Sequence, residues 1–175
     1  LQVTMINRRA FLAAAGSALT TQQIADRARI PAGYLAKILQ ILGRAGLVTS
    51  QCGIPLTAAR GDENSMGRMR EFLPGAHCLG DFLKGQGYRN LFLGGADSGF
   101  AAKGRFLHQH GFDEVRDLAH YRQAGIDRAH FSNWGLHDDV LLDDAFETFM
   151  QLSAAGTPFM LNALTMDTHH PAGHL

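Results

Sequence analysis

No stretch of the 175-residue chain approaches the roughly 20 consecutive apolar residues of a membrane-spanning helix. The chain as given therefore reads as soluble, and membrane attachment would need further sequence. Net charge is also missing, because 16 basic side chains balance 16 acidic ones. Cysteine is scarce: Cys52 and Cys78 are too few for a disulfide-dense scaffold. What remains is an ordinary globular composition, long enough for one domain with a core or for a small module joined to part of a larger one.

The zero net charge averages two unlike segments. Residues 1–50 carry six basic side chains, Arg8, Arg9, Arg27, Arg29, Lys37 and Arg44, against Asp26 alone, a balance of +5. Residues 51–175 carry the other ten basic and fifteen acidic side chains, a balance of −5. A basic module followed by an acidic one suits nucleic-acid binding before a seam near Thr49-Ser50-Gln51-Cys52 and another task after it. The expected organisation is a helix-turn-helix-like segment over 1–50 and a second unit over 51–175.

Paired Arg8-Arg9 before the short apolar run from Ala10 to Gly16 has the outline of a twin-arginine export signal. The run is brief and lacks a clear cleavage site, so a first helix with a solvated basic end is preferred. Thr20 or Thr21 then caps a helix whose apolar face is Ile24, Ala25 and Ala28. Pro31 stops it and opens a second helix, with Tyr34, Leu35, Ile38, Leu39 and Leu42 at the spacing of a buried stripe. Gly46 closes that helix, and Leu47-Val48-Thr49 is expected to begin a strand.

Two short helices, a tight turn and a strand describe a winged helix-turn-helix. The run from Thr20 through Ile30-Pro31-Ala32-Gly33-Tyr34 to Leu47-Val48 resembles the Rrf2-type bacterial transcription regulators. That resemblance implies DNA as a partner, with Tyr34 and Lys37 near the major groove. The family's glycine-rich wing, dimerisation helix and frequent three-cysteine iron–sulfur site are not continued here.

Beyond the seam, Gly and Pro mark 51–75 as mainly loop, with one helical turn near Met66–Phe72. A regular alternation follows: a short helix at 79–84, a strand at 88–93 ending on Gly94-Gly95, and a short helix at 105–110. A long helix over 138–154 is expected to bury Leu142, Ala145, Phe146, Phe149 and Leu152, with Asp138 and Asp139 at the positive end of its dipole. A second apolar strand covers 159–165. Apolar strands alternating with helices predict an α/β fold with a covered, mostly parallel sheet.

In such sheets, function gathers where strands end. Two clusters arrive there, Asp97 through Lys103 after the first strand and Asp167 through His170 after the second. A carboxylate, a cation and imidazoles at one edge can bind a phosphate or sulfate ester, with Lys103 and His169 meeting its oxygens. A polar loop and an Asp97 helix cap are the plainer alternative.

Several ordered motifs extend this: Ser50-Gln51-Cys52-Gly53-Ile54-Pro55, Gly94-Gly95-Ala96-Asp97, Phe100-Ala101-Ala102-Lys103-Gly104, Asn133-Trp134-Gly135-Leu136-His137-Asp138-Asp139 and Met166-Asp167-Thr168-His169-His170-Pro171. Together they resemble the sulfatase-like phosphoglycerol transferases that act on periplasmic glucans, over about residues 50–175. The resemblance implies part of an alkaline-phosphatase-like fold and a phosphoglycerol, phosphate or sulfate ester as ligand. It also implies a threonine nucleophile activated by manganese or magnesium in intact relatives. Carried over by motif, Asp97, Lys103 and His169 surround the phosphoglycerol group, and Trp134 lies near that edge or in the core.

The same resemblance places the nucleophilic threonine before the Cys52-Gly53-Ile54-Pro55 motif, where the regulator-like helices stand, and the metal ligands outside this chain. Thr20, Thr21 and Thr49 sit in the wrong contexts to substitute. No catalytic residue, bound metal or activity is therefore expected of the chain alone. His108 and His110, like His169, His170 and His174, form no clear ligand set and read as solvated. In an exported relative Cys52 and Cys78 can pair; the regulator-like start favours a cytoplasmic location and reduced thiols, whereas intact relatives of the later segment act at the periplasmic face of the inner membrane.

Overall fold

The computed structural model describes residues 2–5, 47–54 and 70–167. The expected helix-turn-helix with Tyr34 and Lys37, the first helix expected at Arg8-Arg9 and the run from Ala10 to Gly16, and His169 lie outside the described residues. Within them a four-stranded sheet is flanked by helices. Its strands are β1 (Gln2–Met5), β2 (Arg89–Gly94), β3 (Glu114–Arg116) and β4 (Phe159–Leu164), in spatial order β1-β4-β2-β3. The β4–β2 and β2–β3 pairs are parallel, and β1 runs antiparallel to β4. The expected α/β class is observed.

Alternation along the central strands sends side chains to two cores. Leu91 and Leu93 of β2 join Leu161 and Ala163 of β4 on one face. There they pack against Tyr121 of α3 (Leu118–Gln123) and Leu141, Ala145, Phe149 and Leu152 of α4 (Asp138–Ala155). Phe92 and Met160 point to the other face, against Leu83 of α1 (Leu79–Gly85), Phe106 and Leu107 of α2 (Lys103–Gln109), and Leu47 and Val48. Each fully buried Leu or Phe contributes about 1.5–3 kcal/mol of transfer free energy. That burial on both faces is why β2 reads as a continuous apolar run rather than an alternating one.

Two sequence expectations are corrected. Residues 47–52 are helical, not the start of a strand; Leu47 and Val48 are both buried against α1 and α2, neighbours a strand would have placed on opposite faces. In α4, Leu142 and Phe146 are 47% and 48% exposed, and Leu141 and Thr148 are buried in their place. Polar anchoring sets this rotation: Asp144 accepts from Arg116 Nη1 at 2.7 Å and from the Tyr121 hydroxyl at 2.8 Å, and Thr148 Oγ1 accepts from Arg116 at 2.8 Å.

Cys52 and Cys78 are joined in a disulfide across 26 positions, not reduced. The bond ties the 47–52 helix to the residue that caps α1. His110 is not solvated either: it is 4% exposed, between Asp81 and the Phe72 carbonyl.

Candidate functional site

The parallel register pairs Gly94 with Leu164, so β2 and β4 end level with one another. Three segments leave that edge: 95–99 after β2, the turn at 132–137 before α4, and 165–167 after β4. Backbone contacts hold them together. Leu136 donates its amide to Gly95 O at 3.0 Å. A Cβ on Gly135, whose φ is +150°, would lie 2.1 Å from Gly95 O, and one on Gly95 would lie 2.6 Å from Leu136 O. Glycine at both positions is what permits this approach.

The start of α4 is bound to the end of β4 by a reciprocal pair. Asp138 donates its amide to Asp167 Oδ2 at 2.7 Å, while Asp138 accepts from the amides of Met166 at 2.6 Å and Asp167 at 3.0 Å. His137 Nδ1 lies 3.1 Å from Asp167 Oδ1, so this nitrogen carries the proton and the ring orientation is fixed. Burial pushes the Asp138 carboxyl above its ordinary value; the two amides oppose this and the nearby Asp167 charge adds to it.

Asp117 performs the matching role on the other flank. It caps α3 through the amides of Ala119 and His120. Its Oδ2 also accepts from the Ser98 hydroxyl at 2.5 Å and the Ser98 amide at 3.2 Å. Burial alone would raise this carboxyl, but the Ser98, His120 and Ala119 hydrogen bonds outweigh it and hold it below the usual range.

Asp97 is exposed in this loop and accepts from the Gly99 amide at 2.7 Å. The chain then passes through Ala101 and Ala102, at φ +55° and +54°. Left-handed backbone in two buried alanines costs on the order of 1 kcal/mol each, and it turns the chain so that the half-buried Lys103 opens α2. Asp97 and Lys103 thus lie at the two ends of the turn that joins the β2 edge to α2. Trp134 is half-buried in the adjoining turn, its amide donating to Ser132 Oγ at 3.2 Å. Residue 167, at the same edge, is the last described position before His169. Asp117, His137 and Asp138 were not singled out from the sequence as site-building residues, although the Asp117 cap position had a readable signal.

A sulfatase family model matches residues 44–174. The chain belongs to the sulfatase family. Over 131 residues it is 67% identical to the phosphoglycerol transferase I of Xanthomonas euvesicatoria pv. vesicatoria and 44% identical to that of Citrobacter koseri. These alignments cover 75% of this chain but 19% and 17% of those proteins, so the chain spans about a fifth of the length of the relatives it matches. An alkaline phosphatase superfamily protein from Vibrio parahaemolyticus superposes with a TM-score of 0.58 at 26% identity, over 73% of this chain and 29% of that one. The lipoteichoic acid synthase LtaP of Listeria monocytogenes gives 0.60 at 15% identity, over 74% and 29%, a likeness of fold.

The described residues do not form a site for the hard cation that the sulfatase-type resemblance implies. Asp138 and Asp167 spend their oxygens on amides and His137 rather than converging on a common point. What the structure shows at this edge is a backbone fixed by the Gly95–Leu136 contact and by the Asp138 and Asp117 hydrogen bonds.

Proposed function

We propose that this chain supplies the phosphoglycerol-recognition part of a sulfatase-type phosphoglycerol transferase. The observation that carries the reading is the 67% identity to a phosphoglycerol transferase I across 131 residues. In this reading Lys103 pairs with the phosphate oxygens as a point charge, His169 donates to them, and Asp97 accepts from a glycerol hydroxyl. The left-handed Ala101-Ala102 turn supports it, because backbone strain of this kind is kept where a side chain must be aimed.

The donor is phosphatidylglycerol and the acceptor a glucan, with residues 51–175 as the sulfatase-like unit. Such a transferase further requires a threonine nucleophile and manganese or magnesium ligands, and in this reading residues 51–175 contribute headgroup binding to it. When bound, the metal would act as a Lewis acid and lower the nucleophile's pKa. The Cys52–Cys78 bond supports an oxidising compartment such as the periplasm. Isothermal titration with glycerol phosphate tests the reading: saturable binding that plain glycerol does not reproduce is expected, and its absence rejects it.

A second reading rests on the +5 balance of residues 1–50: an Rrf2-like segment that binds duplex DNA through Tyr34 and Lys37. Gel-shift affinity falling steeply with salt is its expected signature, and no shift at low salt rejects it.

A further inference from the structure

On the opposite face of the sheet from α4, the sulfurs of Cys52 and Cys78 and a ring nitrogen of His110 all lie within 4.8 Å of one another. Cys78 and His110 are almost wholly buried. The imidazole is held by two oxygens, with Nε2 2.8 Å from the Phe72 carbonyl and Nδ1 2.9 Å from Asp81 Oδ2. Asp81 Oδ2 also accepts from the Cys78 amide at 3.0 Å. The carbonyl can only accept, so Nε2 carries a proton, and a metal on the imidazole would take Nδ1 by displacing its hydrogen bond to Asp81. Imidazole metal ligands are commonly oriented in this way, by a carbonyl on the other nitrogen.

We propose that reduction of the Cys52–Cys78 bond turns this cluster into a zinc site with two thiolates and His110 as its three protein ligands, the fourth position being left to water and Asp81 lying beside it as the hydrogen-bond partner of the imidazole. Thiolate and imidazole donors in a tetrahedral set suit Zn²⁺ and not Mg²⁺ or Mn²⁺. Zinc–sulfur bonds of ~2.3 Å place the two sulfurs roughly 3.8 Å apart, within the spread already present among the three groups. The three ligands come from the 47–52 helix, the residue that caps α1 and the residue that follows α2. The contact between the 70–72 segment and α2 is kept by Gln109, which donates to Arg70 O and accepts from the Phe72 amide, both at 2.9 Å. A cavity of about 530 Å³, lined in part by Glu71, His77, Asp81 and His110, opens on the imidazole side of the cluster.

The chemistry balances with a phosphine as reductant. The disulfide takes two electrons from phosphorus, a water oxygen becomes the phosphine oxide, and the two water protons go to the sulfurs. Zn²⁺ then displaces both thiol protons and the proton between Nδ1 and Asp81.

The test titrates the full chain, reduced by a phosphine and freed of excess, with zinc against a chromophoric chelator, alongside the oxidised chain and Cys52→Ser. The expected result is one zinc per reduced chain, a higher Tm with zinc than without, and thiolate-to-metal absorption when Co²⁺ replaces it. At least 100-fold weaker binding is expected for the oxidised chain and for reduced Cys52→Ser. If reduction alone loosens the fold, zinc is expected to restore its circular dichroism. Equal zinc affinity in the oxidised and reduced chains, or no effect of zinc on the reduced chain's Tm or dichroism, overturns the proposal.

Discussion

Asp138 and Asp167 each accept a hydrogen bond from the other's backbone amide, at 3.0 and 2.7 Å, closing a ring between the first turn of α4 and the segment after β4. This ring fixes how the chain leaves β4 over residues 165–167, and it links helix packing to the geometry of the strand edge. Asp138→Ala leaves the Met166 and Asp167 amides without their acceptor, each costing about 1–3 kcal/mol if no water replaces it. Urea unfolding of Asp138→Ala, Asp167→Ala and the double variant is expected to show strong coupling; additive losses would show that the ring does not act as a unit.

The two site-flanking carboxylates have opposite pH signatures. Asp117 is held below its ordinary value of 3.8, so its stabilisation is present above that value and is lost as pH falls through the depressed one. Asp138 is held above 3.8, so its contribution is complete below 3.8 and is lost as pH rises through the raised value. The stability advantage of the protein over Asp117→Asn is therefore expected to shrink on acidification. Its advantage over Asp138→Asn is expected to shrink as pH rises from the ordinary carboxylate range. Unfolding midpoints across pH check both signs.

Gly135→Ala is expected to be among the most damaging small substitutions in the molecule. The new Cβ would meet a backbone oxygen 2.1 Å away at a φ of +150°, so the 132–137 turn must move off the β2 loop. A loss of about 3 kcal/mol or more follows from backbone strain combined with a broken amide contact. Thermal unfolding checks it, with Gly156→Ala, which has open space around its Cβ but a positive φ, losing only about 1 kcal/mol.

Reduction of Cys52–Cys78 in metal-free buffer is expected to lower stability by roughly 3 kcal/mol, the loop-closure entropy of a segment of this length. The two sulfurs bridge positions 26 apart. Urea midpoints with and without reductant measure the difference.

The sequence made the central frame legible. The apolar runs at 88–93 and 159–165 fall within a residue of β2 and β4, and the acidic Asp138-Asp139 start marks α4. β3 was not legible, because Glu114-Val115-Arg116 is a three-residue edge strand whose charges serve side-chain pairs: Arg116 meets Glu114 at 2.7 Å and Arg89 meets Glu114 at 2.8 Å. The buried face of α4 was misjudged for a related reason. Leu142 and Phe146 are as apolar as Leu141, and the side chains that anchor the observed face through Asp144 and Thr148, Arg116 and Tyr121, are far away in sequence. His110 was misread because its partners, Asp81 and the Phe72 carbonyl, are brought to it by tertiary packing. At the site, Asp97 and Lys103 were placed at a strand edge by spacing, whereas the Asp138–Asp167 ring depends on contacts between residues about thirty positions apart.

The central claim, that this edge holds a phosphoglycerol headgroup, is tested most directly by following backbone amide resonances during titration with glycerol phosphate. The protein, Lys103→Ala and His169→Ala are compared. Saturable shifts concentrated at residues 95–99 and 165–167, weakened at least tenfold in both variants, are the expected result. Shifts confined to other parts of the molecule, or equal affinity in all three proteins, would contradict the account.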